Sequence, residues 1–213
     1  MAILDLGCAY GAQMIYAGLQ GAAMSGIDLD PVRVAMARRK LTASGLSGDA
    51  RVGDATALPF EDGRFDGVLS SDFHEHLSHG QQIAVFRESR RVLKPGGRLV
   101  LKTPNLNYLT LATWIKRLRA LSKGRSPFGY VIAHTEGTQN PEHVGLTTRS
   151  RMSRQLEEAG FQNWQWHYAP QRRLGVSYVM DVASTETPFL RDWFCEDLFL
   201  VAYKPIASAY FPD

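Results

Sequence analysis

Short apolar runs that end in acidic or hydroxyl residues alternate with longer amphipathic stretches along the chain. The runs predict strands over residues 2–5, 24–28, 50–52, 65–71, 98–103, 164–168 and 198–203. The stretches 81–93 and 148–159 predict helices, the first of which must end before the turn Pro95-Gly96-Gly97. This alternation predicts an α/β fold, a doubly wound and mostly parallel sheet with helices on both faces.

The first strand passes at once into small residues, in the order Asp5-Leu6-Gly7-Cys8-Ala9-Tyr10-Gly11. Gly7 and Gly11 can adopt backbone angles closed to other residues, so amides at the start of the next helix can face a ligand. Asp5 at the strand end can accept hydrogen bonds from a cationic or amino-bearing group. The pattern favours a ligand-binding turn, and an ordinary strand-to-helix turn is the alternative.

Acids also end the next two predicted strands. Asp28 lies roughly 20 residues beyond the glycine loop, where a carboxylate binds ribose hydroxyls, and a turn or capping acid is the alternative. Asp54 follows the third strand and can accept from the amine of a purine, unless it is simply a loop acid. Ligands of open α/β sheets bind outside the carboxyl ends of the strands, so three such acids together favour a nucleoside site there.

An ordered set of motifs resembles the class I S-adenosylmethionine-dependent methyltransferases, in particular the small-molecule group that includes ubiquinone-biosynthesis O-methyltransferases. The matching segments are residues 5–11, 26–28, 53–55, 58–60, 65–68, 75–77, 91–97, 103–105 and 157–161. They run in order through most of the chain, and together they are far more specific than any one of them. One position departs from the pattern, because the family usually has glycine where Ala9 stands.

The resemblance implies S-adenosylmethionine as the cofactor and S-adenosylhomocysteine as its product. The implied cofactor-binding residues are Asp5, Gly7, Cys8, Ala9 and Gly11 for the methionine part, Asp28 for the ribose hydroxyls, Leu29, Asp54 and Ala55 for the adenine, and Ser70, Ser71 and Asp72 near the methyl group. It also implies a Rossmann-like sheet of seven strands whose last strand is antiparallel.

Family members usually carry one or two helices before the glycine strand, and these helices help to cover the cofactor. In this chain the strand begins almost at Met1. The expectation is therefore one methyltransferase domain over 1–213 without the N-terminal covering helices. Three explanations stay open: a truncated chain, a start assigned too late, or another element that supplies the cover.

The segment Asp72-Phe73-His74-Glu75-His76-Leu77-Ser78-His79 follows the fourth strand and should face the cofactor site. Histidine titrates in the range that suits a general base. Because the Glu-His pair is a motif of the family, Glu75 and His76 are the first catalytic candidates and His74 is the next. The alternative is that they brace the following helix. A metal held by His74, His76 and His79 is a further alternative, but residues so close on one loop rarely all reach one ion, and no metal is predicted.

An insert over 105–145 follows the fifth strand, where the family places elements that cover the substrate. Residues 106–121 have apolar side chains near helical spacing, at Tyr108, Leu111, Ile115 and Leu118, with basic residues on the other face. Three interpretations stay open: a lid packed on the domain, an interfacial helix that meets anionic lipid within 106–125, or a homodimer contact. Tyr108 and His143 are the substrate-binding candidates of this insert.

Composition is that of a globular enzyme with a net charge of +3, which is too small to argue for nucleic acid. Two cysteines suggest no disulfide framework, so a reducing cytoplasm is the expected location. The prediction is a methyltransferase that acts on a small molecule, with oxygen as the first choice of acceptor atom. The rivals are a catalytically impaired cofactor-binding or partner module and a nicotinamide oxidoreductase, although Gly7-x-Ala9-x-Gly11 departs from the dinucleotide fingerprint.

Overall fold

The computed structural model describes residues 1–135, 138, 141–168 and 188–206. Seven strands form one sheet: β1 (Ala2–Leu6), β2 (Ala23–Asp28), β3 (Asp49–Val52), β4 (Phe65–Ser71), β5 (Leu93–Pro104), β6 (Asn163–His167) and β7 (Asp197–Tyr203). Their order is β3-β2-β1-β4-β5-β7-β6, and β7 runs antiparallel to both neighbours. The predicted doubly wound, seven-stranded sheet is confirmed.

Helices cover the two faces of this sheet. They are α1 (Ala12–Leu19), α2 (Pro31–Ala43), α3 (His79–Val92), α4 (Leu106–Ser122), α5 (Arg149–Glu158) and α6 (Pro188–Phe194). Because successive residues of a strand point to opposite faces, the chain builds two apolar cores. One core packs Met14 of α1 and Leu41 of α2 on the sheet, and the other packs Phe86 of α3 and Leu156 of α5 on its opposite face.

Two of the helices that follow strands, α2 and α3, begin with side-chain caps. Asp30 caps α2, because its carboxylate accepts hydrogen bonds from the amides of Val32 and Arg33, while Pro31 occupies the first helical turn. Ser78 and Gln81 form a capping box at the start of α3. These caps fix where each chain segment leaves the carboxyl edge of the sheet, and that edge carries the candidate site.

The segment Pro95-Gly96-Gly97 lies within β5 as an irregularity of the strand, which corrects its prediction as a turn between helix and strand. The pairing of β4 with β5 shifts register between Phe65 and Gly67, and Gly96 has a positive φ of 78°. The amide of Gly96 still donates to the carbonyl of Lys204, the residue that directly follows β7. The segment therefore stays hydrogen bonded to the end of the neighbouring strand. A bulge absorbs the glycines here without ending the strand.

The predicted insert helix is present as α4, but its apolar stripe is only partly buried. Tyr108 is buried, whereas Leu118 and Leu121 are exposed, so the stripe is buried at the start of the helix and open to solvent towards its end. The helix contacts α6. Within the described part of the chain, none of the helices is long and apolar enough to cross a membrane.

Candidate active site

The loop between β1 and α1 is built from three residues with left-handed backbone angles. Gly7, Ala9 and Gly11 have φ values of 65°, 43° and 78°. A Cβ atom at Gly7 would overlap the ring of Phe73, and one at Gly11 would lie 3.0 Å from the Cβ of Ala37. Glycine is thus required at both positions by the backbone angle and by close packing, and the loop holds its amides at the edge of the sheet.

Asp28 ties this loop to the start of α2. Its Oδ2 accepts a hydrogen bond from the amide of Ala9 at 2.9 Å, and its Oδ1 accepts one from the amide of Asp30 at 2.9 Å. A carboxylate oxygen has two lone pairs, so each oxygen of Asp28 keeps capacity for a further donor. The neighbouring Leu29 is exposed.

A cavity of about 200 Å³ lies between this loop and the end of β4. The residues that line it are Asp5, Gly7, Cys8, Ala9, Tyr10, Ala12, Gln13, Ser71 and Asp72. Asp72 has a positive φ of 52° and accepts two hydrogen bonds from the ammonium group of Lys102, at 2.7 and 2.9 Å. The carboxyl ends of β1 and β4 therefore shape a small, polar concavity, as the sheet topology predicts.

Asp5 is the most perturbed acid of this cavity. Burial, followed by the nearby charge of Asp28, raises its pKa to about 7. Its Oδ2 is buried without a hydrogen-bond partner among the described residues. Burial and the same two acids raise the pKa of the Cys8 thiol to about 12, so this thiol stays protonated. A buried carboxylate with an unused acceptor fits a cationic group of a ligand.

Glu75 and His76 lie in a single turn of 3-10 helix after β4. Glu75 is buried, which raises its pKa, and its Oε2 accepts a hydrogen bond from the hydroxyl of Thr103 at 2.8 Å. His76 is exposed, and its Nδ1 lies 3.0 Å from the carbonyl oxygen of Glu142. A carbonyl can only accept, so Nδ1 must carry the proton and Nε2 is left as the basic nitrogen.

His143 joins this pair from a distant part of the chain. The rings of His76 and His143 are 5.2 Å apart, and the amide of Gly145 donates to the carbonyl of Glu75 at 2.9 Å. One ligand atom from each of Glu75, His76 and His143 lies within 4.8 Å of the others. Imidazole and carboxylate are common ligands of divalent metals, so this cluster is able to hold a cation as well as a proton.

His74 and His79 point elsewhere. His74 is fully buried, stacks on Phe86 with 4.7 Å between ring centroids, and has a pKa lowered to about 3 by burial and by His79. The ring of His79 contacts Gln82 and Arg151, at 3.1 Å in each case. The metal set His74, His76 and His79 weighed from the sequence is therefore not assembled by the fold.

A second cavity, of about 330 Å³, runs along α4. Its lining is mostly apolar, with three charged residues, and consists of Tyr108, Leu109, Ala112, Thr113, Ile115, Lys116, Arg119, Val131, Ile132, Ala133 and Glu196. Tyr108 thus lines this cavity, whereas His143 lies with Glu75 and His76. The two candidates from the insert occupy different places.

Comparison with known proteins gives the family. Residues 4–101 match the model of a methyltransferase domain. A ubiquinone biosynthesis O-methyltransferase of Cereibacter sphaeroides is 30% identical over 183 residues, which cover 83% of this chain and 71% of the relative. The chain belongs to the class I S-adenosylmethionine-dependent methyltransferases.

Two further relatives and a solved structure are also similar to this methyltransferase. A tocopherol O-methyltransferase of Arabidopsis thaliana is 38% identical over 47% of the chain and 29% of the relative. A ribosomal RNA small subunit methyltransferase C of Chromohalobacter salexigens is 36% identical over 46% of the chain and 30% of the relative. An S-adenosylmethionine-dependent methyltransferase from Methanosarcina mazei superposes with a TM-score of 0.67 at 19% identity, over 96% of this chain and 92% of that one.

Family membership implies S-adenosylmethionine as cofactor, and the residues of the methyltransferase loop fit it. The fit rests on the unpartnered buried oxygen of Asp5 and on the cavity of about 200 Å³ that opens beside the glycine loop. Of the cofactor-binding residues predicted from the sequence, the cavity gathers Asp5, Gly7, Cys8, Ala9, Ser71 and Asp72. The others, Gly11, Asp28, Leu29, Asp54, Ala55 and Ser70, are not among the residues that line it.

Asp54 and Ala55, two of the predicted residues that do not line the cavity, have clear local roles in the methyltransferase. Asp54 is exposed and accepts a hydrogen bond from the amide of Thr56 at 2.8 Å, while Ala55 is buried in the apolar core. Sequence reasoning missed Tyr10, Ala12 and Gln13, which also line the cavity. Their signal was positional, because Tyr10 lies within the glycine loop and Ala12 and Gln13 begin the helix that follows it, at the same edge of the sheet.

Proposed function

We propose that this methyltransferase methylates a hydroxyl oxygen of a small molecule. Bound S-adenosylmethionine supplies a methyl group that is already activated on a sulfonium sulfur. The observation that carries the choice of oxygen is the contact of His76 Nδ1 with the carbonyl of Glu142, because it assigns a proton to Nδ1 and leaves Nε2 to accept the proton that a hydroxyl acceptor must lose. The names of the ubiquinone and tocopherol O-methyltransferases support the same choice.

The cofactor, in this proposal, lies along the carboxyl ends of β1, β2 and β3. The unused oxygen of Asp5 faces its ammonium group, and the glycine loop contacts the methionine part. The remaining lone pairs of Asp28 accept from the ribose hydroxyls while the same side chain holds the amide of Ala9. Leu29 and Asp54 are exposed beside the position proposed for adenine.

Glu75 and His76 have different roles toward the acceptor in this proposal. Glu75 is held by the hydroxyl of Thr103, and its buried carboxylate favours a positive charge on the neighbouring imidazole. His76 takes the proton at Nε2 and keeps the Nδ1 hydrogen on the carbonyl of Glu142. We assign His74 a packing role, because a buried imidazole with a pKa of about 3 is a weak base.

The acceptor is proposed to have an apolar part. In this proposal α4 lies on the substrate side of the molecule, and the cavity along it offers about 330 Å³ lined largely by apolar side chains. Tyr108 is buried in its wall. A phenol with an apolar substituent matches this lining better than a charged acceptor does.

The test is transfer of a labelled methyl group from S-adenosylmethionine to a panel of acceptors. Phenols and catechols with and without an alkyl substituent are compared with amines, with activated carbon acids and with a ribosomal RNA fragment. The expected result is transfer of the labelled methyl group to the phenolic oxygen, at a rate that rises when the acceptor carries an alkyl substituent. Labelling confined to nitrogen, carbon or RNA contradicts the proposal.

His76→Ala should lower kcat by about 10²–10⁴, the range of a lost general base, and leave the Kd for the cofactor unchanged. His167→Ala is the matched control, since His167 is an exposed histidine on the edge strand β6. Parallel loss of cofactor binding and turnover in His76→Ala would show a structural role for His76.

A second mechanism is favoured by the spacing of Glu75, His76 and His143, which places one ligand atom of each within 4.8 Å of the others. A divalent cation held there would bind the acceptor oxygen and make its proton easier to remove. Activity that is lost on chelation and restored by magnesium, manganese or zinc would support this mechanism. Activity that survives chelation while His76→Ala is inactive would assign His76 as the base.

A further inference from the structure

The outer side of α4 and the residues after it concentrate exposed apolar side chains. Five of the sixteen large apolar side chains exposed in the described residues fall within this stretch, namely Trp114, Leu118, Leu121, Phe128 and Val131. Leu118 is 62% exposed and Phe128 is 88% exposed. Single exposed apolar residues need no explanation, but a cluster of this kind marks an interaction site.

These apolar side chains lie on one surface. Trp114, Leu118 and Leu121 follow each other at helical spacings of four and three residues, which places them on one face of α4. The guanidinium of Arg117 donates to the carbonyl of Tyr130 at 3.0 Å and lies over the ring of Trp114 at 5.3 Å. This contact holds the segment that carries Phe128 beside the helix.

The same stretch is strongly basic. Residues 106–135 contain Lys116, Arg117, Arg119, Lys123 and Arg125 and no aspartate or glutamate. The whole chain carries a net charge of +3, so the rest of it carries −2. The net positive charge of the chain is therefore carried by this stretch.

We propose that the α4 tip, defined as Leu118, Leu121, Lys123, Arg125 and Phe128, docks on a membrane that contains acidic lipids. A bilayer surface satisfies both properties at once, since leucine and phenylalanine enter the acyl boundary while lysine and arginine meet lipid phosphates. Nucleic acid would match the charge but leave the apolar side chains in water. A second copy of the chain would bring two basic surfaces together.

Docking at this surface has a consequence for access to the α4 cavity. Val131 is exposed at 58% and also lines that cavity, so the cavity opens beside the α4 tip. An acceptor with an apolar part would then reach the methyltransferase from the bilayer. This consequence rests on the proposed function, whereas membrane docking itself does not.

The experiment is co-sedimentation of the full chain with vesicles of phosphatidylcholine alone or mixed with phosphatidylglycerol. We expect binding only to the mixed vesicles, weakened by salt. Lys123→Gln with Arg125→Gln should reduce the partition coefficient about thirtyfold, because each basic residue contributes about fivefold. Leu118→Ser with Phe128→Ser should reduce it further in high salt, where the apolar term dominates.

The matched controls are an exposed arginine and an exposed apolar residue outside the α4 tip, Arg39→Gln on α2 and Tyr16→Ser on α1. Both should bind the mixed vesicles as the unmodified chain does. Cofactor titration of every variant separates a folding defect from a docking defect.

Three outcomes would overturn the docking proposal. They are binding that does not depend on acidic lipid, control variants that lose binding as much as the tip variants, and a chain that is dimeric in sedimentation analysis and becomes monomeric in Leu118→Ser. Methyl transfer to a water-soluble phenol stays measurable in each case, so the failure of docking is distinguishable from the failure of the proposed function.

Discussion

Ala9 holds a backbone conformation that L-amino acids rarely adopt, with φ at 43°. A residue with a Cβ loses about 1–2 kcal/mol there, whereas glycine does not. Part of the gain from Ala9→Gly is offset by the greater freedom of glycine in the unfolded chain. We expect urea unfolding to show a net stabilisation of about 0.5–1 kcal/mol. Gly7→Ala should do the opposite, since its Cβ would overlap Phe73, and a stabilised Gly7→Ala would contradict this account of the loop.

The carboxylate of Asp28 accepts hydrogen bonds from the amides of Ala9 and Asp30. Its removal should therefore loosen the glycine loop and also delete the proposed contact with the ribose. We expect Asp28→Ala to weaken S-adenosylmethionine binding by about 1–3 kcal/mol, the scale of a lost charged hydrogen bond. Glu61→Ala is the comparison and should bind the cofactor as the unmodified chain does, because Glu61 is an exposed acid outside the proposed cofactor site. Calorimetric titration of both variants decides, and equal affinities in Asp28→Ala and the unmodified chain would refute the ribose assignment.

Asp5 predicts a pH dependence of stability. Its pKa rises from the usual 3.8 to about 7 in the folded state, chiefly through burial. The folded protein therefore keeps a proton that the unfolded chain has already lost, and stability falls as the pH rises from about 4 to about 7. Asp5→Asn cannot titrate and should lack this part of the decline. Urea unfolding across that range measures the difference between the two proteins, and parallel pH profiles would sink the assignment.

At the scale of elements, strands and helices followed from short patterns, because buried parallel strands are continuous apolar runs between clear turn signals. The strand over residues 65–71 was predicted with its observed bounds. The periodicity of α4 does not show which of its faces packs on the rest of the protein. A helical stripe shows which residues share a face, but only the position of its neighbours decides whether Leu118 meets protein or solvent.

The candidate site shows the same division between local and distant information. The acids at the ends of the first strands and the Glu75-His76 pair could be predicted, since each lies in a local motif. The approach of His143 to this pair could not, because it joins positions far apart in the sequence. It depends on buried hydrogen bonds, including that from the amide of Gly145 to the carbonyl of Glu75.

Gln82 of α3 is the residue that holds the segment of His143 and Gly145 beside Glu75. Its buried amide group donates to the carbonyls of His74 and Gly145 at 3.0 and 2.7 Å, and its oxygen accepts from Gln155 of α5 at 2.8 Å. Gln82→Leu should leave these buried groups unpaired and destabilise the protein by about 2–3 kcal/mol. As a positioning residue, Gln82 should affect kcat more than the Kd for the cofactor. Ser89→Ala, which removes a buried hydroxyl from the same helix, is the control, and an unchanged kcat in Gln82→Leu would limit its role to stability.

At the scale of the whole molecule, the fold alone does not settle the chemistry. A [4+2]-cyclase superposes on this methyltransferase with a TM-score of 0.65 at 21% identity, over 96% of this chain and 74% of that one. The choice of reaction therefore depends on the side chains at the carboxyl edge of the sheet, where we propose that Glu75, His76 and His143 act on the acceptor. Those side chains lie on turns that the two apolar cores hold in place.

Cofactor binding should stabilise the whole molecule, because the cavity at β1 exists only in the folded chain. At a cofactor concentration of about 100 times Kd the gain is about 2.7 kcal/mol. For a chain of this size that gain corresponds to a rise in Tm of about 5–10 °C. Thermal unfolding with S-adenosylmethionine measures the shift, and nicotinamide dinucleotides serve as the control that should give none. His76→Ala should keep the shift and Asp28→Ala should lose most of it, since only Asp28 is placed on the cofactor. If both variants lost the shift equally, the separation of a cofactor side from an acceptor side in this molecule would be wrong.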